Sequence, residues 1–237
     1  MSYNGLKILA VIPARGGSKG IPRKNLCRIA GISLVGHAVR FALSLTFIDR
    51  IVLSTDDDEI AAEGRQHGAA VPFMRPDQLA SDQAQSTEMW KHAWLASEAH
   101  FGEKYDISIL LEPTSPLRLP EDIQSTVDTL VTGDCDAAAT FSRAPAHFTP
   151  HKCLTVDENG IIGFYHAQGR QYSTRQQIPS YYFRNGICYA VWRQTLLEKD
   201  RIIEKNCKAV IIERPVVNID DRNELEYAEF LFQKYYR

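Results

Sequence analysis

Short apolar runs that alternate with amphipathic stretches constrain the fold of this 237-residue chain more than any other feature. Leu6–Ile12 reads LKILAVI, a continuous apolar run typical of a buried parallel strand. Similar runs at Ile51–Ser54, Ile107–Leu111 and Ala137–Phe141 are separated by helical patterns. Further strands are predicted at Val71–Phe73, Gly186–Trp192 and Val210–Ile212, and helices at Ser33–Ser44, Asp57–His67, Ser86–His100, Glu121–Val131, Thr195–Asp200 and Asn223–Tyr235. The alternation predicts an α/β fold with a doubly wound, mostly parallel sheet.

The chain reads as one domain with one excursion. Its length fits a single large α/β domain, and it contains no internal repeat, low-complexity tract or convincing linker. Residues 142–182 differ in character, being rich in His, Tyr, Gln and Pro. We therefore predict a single domain, 1–237, in which 142–182 is an inserted segment that leaves the core.

Composition excludes several classes of partner. The net charge is −2 and the pI is about 6.4, so no overall basic field favours nucleic acid or an anionic membrane. The five cysteines are scattered and odd in number, which argues against a disulfide framework or a structural zinc site. No run approaches the roughly 20 apolar residues that a membrane helix needs. The apolar run near the N-terminus is too short for a signal peptide. We expect a soluble, cytoplasmic protein.

The strongest local signal is the segment ARGGSKGIPRKN, which spans Ala14–Asn25 directly after the first strand. Its three glycines let the backbone approach a ligand and direct N–H groups toward it. Its four cations would complement a polyphosphate. The order G-S-K-G differs from the G-K-[ST] of a Walker A loop, and G-x-G-x-x-G is also absent. The alternative interpretation is a flexible basic surface loop.

Two further motifs also follow predicted strands. Ser54–Asp58 reads STDDD after the second strand, and Glu112–Arg118 reads EPTSPLR after the fourth. In doubly wound sheets, ligands bind beyond the carboxyl ends of the strands where the winding reverses. The three motifs are therefore predicted to share one crevice.

The segment A-R-G-G-S-K-G-x-x-x-K-N resembles the signature loop of the CMP-sialic acid synthetases, also called acylneuraminate cytidylyltransferases. The resemblance continues through Ser54-Thr55-Asp56, which is similar to the family's S-T-D, and through 111–118, which is similar to L-Q-P-T-S-P-L-R. It covers most of the chain. Other matching positions are Arg75-Pro76, Leu79-Ala80, Asp82, Ser86, Arg175-Gln176, Pro179, Tyr181, Asn185-Gly186, Tyr189 and Asn218-Ile219-Asp220.

The resemblance implies a Rossmann-like nucleotidyltransferase that uses Mg²⁺ to transfer CMP from CTP to the anomeric hydroxyl of a sialic-type nonulosonic acid. It also implies a homodimer formed through 142–182. Catalysis would depend on Arg15, Lys19 and Asp220, and Mg²⁺ would bind Asp220 and Asp221. The implied nucleotide-binding residues are Ala14, Arg15, Gly16, Gly17, Ser18, Lys19, Lys24, Asn25, Arg75 and Ser86. The implied sugar-binding residues are Glu112, Thr114, Ser115, Arg175, Gln176 and Asn185.

The acidic residues have competing interpretations. Asp220 suits Mg²⁺, which takes one or two carboxylates together with water and phosphate oxygens. Asp221 is adjacent and would serve equally well as the cap of the C-terminal helix. Asp57–Glu59 is interpreted as a helix start, because carboxylates favour the positive end of a helix.

The sequence departs from the family pattern at two positions and leaves two other functions open. Glu112 replaces the usual Gln, and Asn218 stands where some members have the first Asp of D-x-D. An ionised carboxylate only accepts hydrogen bonds, whereas an amide also donates, so the sugar is open and legionaminic acid is plausible. One alternative is a cytidylyltransferase for 3-deoxy-octulosonate or its 8-amino form. The other is a CTP-binding sensor without catalysis.

Overall fold

The computed structural model describes residues 3–172, 174–199, 202 and 206–236. A six-stranded sheet forms its centre, in the order β10-β6-β9-β5-β1-β4. The strands are β1 (Ile8–Pro13), β2 (Arg28–Ile29), β3 (Ile32–Ser33), β4 (Arg50–Ser54), β5 (Ile107–Leu110), β6 (Ala137–Arg143), β7 (Leu154–Val156), β8 (Ile162–Phe164), β9 (Tyr182–Trp192) and β10 (Cys207–Ile211). The helices are α1 (Leu34–Ser44), α2 (Asp58–Gln66), α3 (Ser86–Phe101), α4 (Pro120–Thr132) and α5 (Arg222–Tyr235).

The predicted α/β class and the mostly parallel sheet are confirmed. β1 pairs in parallel with β4 and with β5, and β10 pairs in parallel with β6. Only β9 runs antiparallel to its neighbours in this sheet, β5 and β6. The chain leaves β1 toward β4 and later returns to β5 on the other side of β1. The winding therefore reverses between β1 and β5.

Helices cover both faces of the sheet, and successive side chains of β1 point alternately to the two faces. Ile8, Ala10 and Ile12 pack into a core cluster with residues of α1 and α4. Leu9 and Val11 pack into a second cluster with residues of α3. This two-sided burial explains why the strand reads as a continuous apolar run.

Several element predictions were wrong in detail. Val71–Phe73 is not a strand, although the adjacent Ala70 forms an isolated bridge with Val52. The predicted inner strand Val210–Ile212 is β10, which lies at the sheet edge.

Two predicted boundaries moved. β9 begins at Tyr182 rather than Gly186, because its first residues pair with the end of β6 beyond a register shift. The short helix predicted at Thr195–Asp200 is a π-helix at Thr195–Lys199, and Asp200 lies outside the described residues.

The excursion contains only short elements. β7 and β8 form a separate two-stranded antiparallel sheet. All six residues of this hairpin's strands are exposed, including the apolar Val156 and Ile162. The division into one domain with an inserted segment stays a prediction. In the part of the chain that the structure describes, no helix has the length and apolar character needed to cross a membrane.

Candidate active site

A cleft of about 430 Å³ opens at the carboxyl ends of β1 and β5, where the winding reverses. This is the position at which doubly wound sheets bind ligands. Ten of the predicted site residues line it together: Arg15, Ser18, Lys19, Lys24, Asn25, Arg75, Ser86, Glu112, Thr114 and Asp220. Pro13, Gly20, Met89, Leu110 and Pro113 complete the lining.

The loop after β1 is held against the segment before α5. The Lys24 ammonium donates to the Ile219 carbonyl at 2.7 Å and to Asp220 Oδ1 at 2.8 Å. Asn25 is buried, and its amide donates to the Arg15 carbonyl at 2.9 Å. A methyl group at Gly20 would lie 2.1 Å from the Asp220 carbonyl oxygen, so only glycine fits there. Two distant segments thus meet on one side of the cleft.

Arg15 and Lys19, which belong to the same loop, both form ion pairs with the carboxylate of Asp82. Lys19 Nζ lies 2.6 Å from Asp82 Oδ2, and Arg15 Nη2 lies 3.0 Å from Asp82 Oδ1. The hydrogen bond from Lys19 is the main reason that the pKa of Asp82 is lowered. Asp82 is therefore ionised at neutral pH and balances part of the charge of the loop.

Arg75 is a buried cation in the cleft wall. Its guanidinium donates to the Ser54 hydroxyl at 3.1 Å and to the Ser54 carbonyl at 2.5 Å. Burial lowers its pKa to about 10, which leaves it charged at neutral pH. Ser86, the first residue of α3, lines the same cleft, so the lining contains a buried cation and a hydroxyl.

Glu112 is a partly buried carboxylate that also lines the cleft. Asn218 Nδ2 donates to its Oε2 at 3.2 Å. Burial raises the pKa of Glu112, although the charge of Arg118 opposes the shift. Gly186 has a φ of 70°, and a methyl group there would lie 2.3 Å from Glu112 Oε2. Glycine at this position therefore gives the carboxylate its space.

Arg118 fixes the backbone behind Glu112. It is buried, and its guanidinium donates to the carbonyls of Glu112, Gly186 and Ile187. Burial lowers its pKa to about 10, so the guanidinium remains charged. Arg118 thereby ties the loop after β5 to the start of the buried part of β9.

Some predicted nucleotide-binding residues do not line the cleft. Ala14 is buried, and its N–H donates to the Ser54 carbonyl. The N–H of Gly16 donates to Asp56 Oδ1 at 3.0 Å and is therefore already used within the protein. Gly17 is exposed and also lies outside the lining.

Two predicted sugar-binding residues are internal. Asn185 is buried, its Oδ1 accepts from the Thr140 hydroxyl at 2.7 Å, and its amide donates to Ser142 at 3.1 Å. The buried Ser115 hydroxyl donates to the Asn185 carbonyl at 2.7 Å. The structure thus places both away from the cleft lining, because their polar groups are used by hydrogen bonds inside the protein.

The excursion residues lie apart from the cleft. Gln176 lines a second cavity of about 570 Å³, together with Arg143, Pro145 and Tyr181. Arg175 begins a short 3₁₀ turn, and its side chain lies outside the described part of the structure. One copy of the chain, as described, does not bring Gln176 to the residues that line the cleft.

The acidic residues separate by role. Asp57 caps α2, since its Oδ1 accepts from the N–H groups of Glu59 and Ile60, and the helix-start interpretation is confirmed. Asp221 caps α5 by accepting from the Glu224 N–H at 2.9 Å. This is the cap alternative, and it directs the carboxylate to the helix rather than to the cleft. Asp220 lines the cleft, and its side chain is 80% exposed.

Sequence reasoning assigned no role to Asp82 or Arg118. Both lie within recognised motifs, but their partners are distant in sequence. The only signal was the accumulation of cations at Ala14–Asn25, which requires carboxylates or an anionic ligand nearby.

The chain resembles proteins of known function along nearly its whole length. The sequence profile of the family described as Cytidylyltransferase matches residues 9–234. A CMP-N,N'-diacetyllegionaminic acid synthase of Campylobacter jejuni is 32% identical over 95% of this chain and 94% of its own length. A pseudaminic acid cytidylyltransferase of the same species is 29% identical over 96% and 97% of the two chains.

The fold is shared with a solved CMP:2-keto-3-deoxy-manno-octonic acid synthetase complexed with CTP. The TM-score is 0.71, the identity is 19%, and the alignment covers 96% of this chain and 99% of that one. At this identity the likeness concerns the fold. Together with the profile match and the arrangement of the cleft, it leads to one assignment: the chain belongs to the cytidylyltransferase family of enzymes.

Proposed function

We propose that this enzyme transfers CMP from CTP to the anomeric hydroxyl of a sialic-type nonulosonic acid and releases pyrophosphate. The carrying observation is the cleft itself, which places Arg15, Lys19 and Lys24 within one space that also contains Glu112 and Thr114. A triphosphate needs cations, and a polyhydroxylated acid needs hydrogen-bonding side chains. The cleft contains both. The names of the relatives, which concern legionaminic and pseudaminic acids, support an acceptor of this class.

The reaction requires little covalent chemistry from the protein. The anomeric hydroxyl oxygen bonds to the α-phosphorus and releases its proton to water, the bond from that phosphorus to the bridging oxygen breaks, and pyrophosphate leaves with the electron pair. Arg15, Lys19 and Lys24 would bind the phosphates and stabilise charge that develops on the leaving group. Arg75 and Ser86, which line the same cleft, would bind the base.

Mg²⁺ is proposed as the cofactor, and the residues present fit it. The described residues contain no group of three or more His, Cys, Asp or Glu side chains that would form a closed metal site. Mg²⁺ suits such a cleft because it takes one or two carboxylates and completes its shell with water and phosphate oxygens. Asp220 would hold it, and Asp221 would do so only by giving up its helix cap. When bound, the ion would neutralise phosphate charge.

A homodimer is proposed to complete the sugar site. In and beside the β7–β8 hairpin, six apolar or aromatic side chains are at least 43% exposed, namely Leu154, Val156, Ile161, Ile162, Phe164 and Tyr165. Leu154 pairs with Phe164 and Val156 with Ile162 across the hairpin, and an exposed apolar surface of this kind is typical of a protein interface. In a dimer built on it, Arg175 or Gln176 of one copy would approach the cleft of the other.

The test is pyrophosphate release from CTP and Mg²⁺ with sialic, legionaminic, pseudaminic and octulosonic acids in turn. We expect release with a nine-carbon acid, and release slower by about 100-fold or more with the Lys19→Ala variant under the same conditions. Release with octulosonic acid alone would replace the proposed acceptor with the eight-carbon class. CTP binding without release for any acid would favour the sensor function.

A further inference from the structure

Asp82 is an acidic residue that contacts the phosphate-loop cations from outside the cleft. Its carboxylate bridges Lys19 Nζ at 2.6 Å and Arg15 Nη2 at 3.0 Å. Arg15 also donates through Nη1 to the carbonyl of Ala80 at 3.3 Å, so the segment before α3 is joined to the loop at three points. Asp82 itself does not line the cleft.

These contacts are of a kind that a ligand can replace. The side chains of Lys19 and Asp82 are 78% and 45% exposed, and exposed ion pairs are individually weak. Lys24 differs, because its side chain is only 14% exposed and it also donates to a backbone carbonyl. Lys24 is therefore fixed in place, whereas Lys19 is free to exchange its partner.

The carboxylate of Asp82 presents two oxygens to a guanidinium and an ammonium, as a phosphate group would. A triphosphate at the same cations would meet a negative charge that repels it. The carboxylate therefore has either of two effects on triphosphate affinity. It lowers the affinity by competing for the cations, or it raises the affinity by orienting them.

We propose that Asp82 is a resident counter-ion of the triphosphate site, which pairs with Arg15 and Lys19 in the nucleotide-free enzyme and is displaced by the phosphates of CTP. The inference rests on the proposed function, since it takes a triphosphate as the ligand. Exposure favours competition over orientation, because a lysine held by one exposed carboxylate gains little order from it. Asp82 then sets the affinity for CTP and for the departing pyrophosphate.

The experiment compares Asp82→Asn with Asp77→Asn, which makes the same charge change at an exposed position in the same segment. Dissociation constants are measured by calorimetry for CTP, inorganic tripolyphosphate and cytidine, with EDTA present so that no turnover occurs. We expect Asp82→Asn to lower the constants for CTP and tripolyphosphate by about three- to tenfold, the effect of one or two exposed ion pairs. Cytidine binding and the Asp77→Asn variant should match the wild type.

An unchanged affinity of Asp82→Asn for tripolyphosphate would overturn the inference. A weakened affinity would overturn it as well and would assign an orienting role to the carboxylate. Asp82→Ala removes the side chain as well as the charge. It should also lower the dissociation constants for CTP and tripolyphosphate. Thermal unfolding without ligand checks that both variants are folded. A wild-type protein that binds tripolyphosphate but not CTP would contradict the proposed function, while the tripolyphosphate comparison would still decide the role of Asp82.

Discussion

Gly20 lies directly against the main-chain carbonyl of Asp220, at a distance that leaves no room for a methyl group. This contact joins the loop after β1 to the turn before α5 and places the Lys24 ammonium beside the Asp220 carboxylate. The cations proposed to bind phosphate and the proposed metal ligand therefore share one junction.

Gly20→Ala should lower kcat/KM strongly, because a Cβ 2.1 Å from the Asp220 oxygen must displace the loop or the turn. Displacement of a binding group by about 1 Å is enough for a loss of roughly 100-fold. Steady-state kinetics measure the loss, and thermal unfolding measures the strain. Gly17→Ala is the control for stability, since no atom lies within 4 Å of its added Cβ. Wild-type kinetics in Gly20→Ala would mean that the close contact between Gly20 and the Asp220 carbonyl is not needed for activity.

Lys19→Ala and Asp220→Ala should each reduce turnover by about 100- to 1000-fold, the effect of removing one group that stabilises developing charge. Both side chains are at least 78% exposed, so the unfolding temperature should stay near that of the wild type. Pyrophosphate release and differential scanning fluorimetry give the two readouts. Near-normal turnover in both variants would rule out the assigned roles.

Glu112→Gln should stabilise the protein more at pH 8 than at pH 5. Burial raises the pKa of Glu112 in the folded protein, so the folded state binds more protons than the unfolded state as this group titrates. The free energy of unfolding of the wild type, compared with that of the glutamine variant, is therefore highest at low pH. It falls as the pH rises through the pKa of Glu112 in the folded protein. Urea unfolding of both proteins at the two pH values measures the difference. An equal difference at both pH values would mean that the carboxylate is not perturbed.

Arg118→Ala should destabilise the fold by about 3 kcal/mol, because it leaves the buried carbonyls of Glu112, Gly186 and Ile187 without their donor. Arg118→Lys keeps the charge but lacks the planar guanidinium, so part of the loss should remain. Urea unfolding tests both. Arg65→Ala, at an exposed position of α2, is the control and should change stability by less than about 0.5 kcal/mol.

The double variant Val156→Glu and Ile162→Glu should convert a dimer to a monomer. The two side chains are 67% and 64% exposed on the β7–β8 hairpin, and paired charges would oppose burial of that surface. Analytical ultracentrifugation gives the oligomeric state, with Leu95→Glu on α3 as the matched control. CTP binding should persist while turnover of the sugar falls. A wild-type protein that sediments as a monomer would refute the proposed dimer.

The sequence by itself determined the α/β class, the positions of most strands and helices, and the meeting of the motifs after β1 and β5 in one cleft. These features depend on local patterns: a buried strand reads as an apolar run, and loops after parallel strands meet at one sheet edge. Arg15, Lys19, Lys24 and Glu112 could therefore be predicted to share one cleft from the sequence pattern, whereas Asp220 was added only by the family resemblance. The third motif, Ser54–Asp58, does not line this cleft, although it contacts Gly16 and Arg75. The helix-start role of Asp57 was also predictable, since capping involves only neighbouring residues.

Only the tertiary structure decided which motif residues face the cleft and which are internal. Asn185 and Ser115 form hydrogen bonds within the core, because packing of β9 between β5 and β6 brings Asn185 to Thr140 and to the Ser115 hydroxyl. The pairing of Asp82 with Lys19, and the clamp of Arg118 on Gly186, join residues distant in sequence. Such contacts follow from how the strands and helices pack, and the local pattern of the chain does not contain that information.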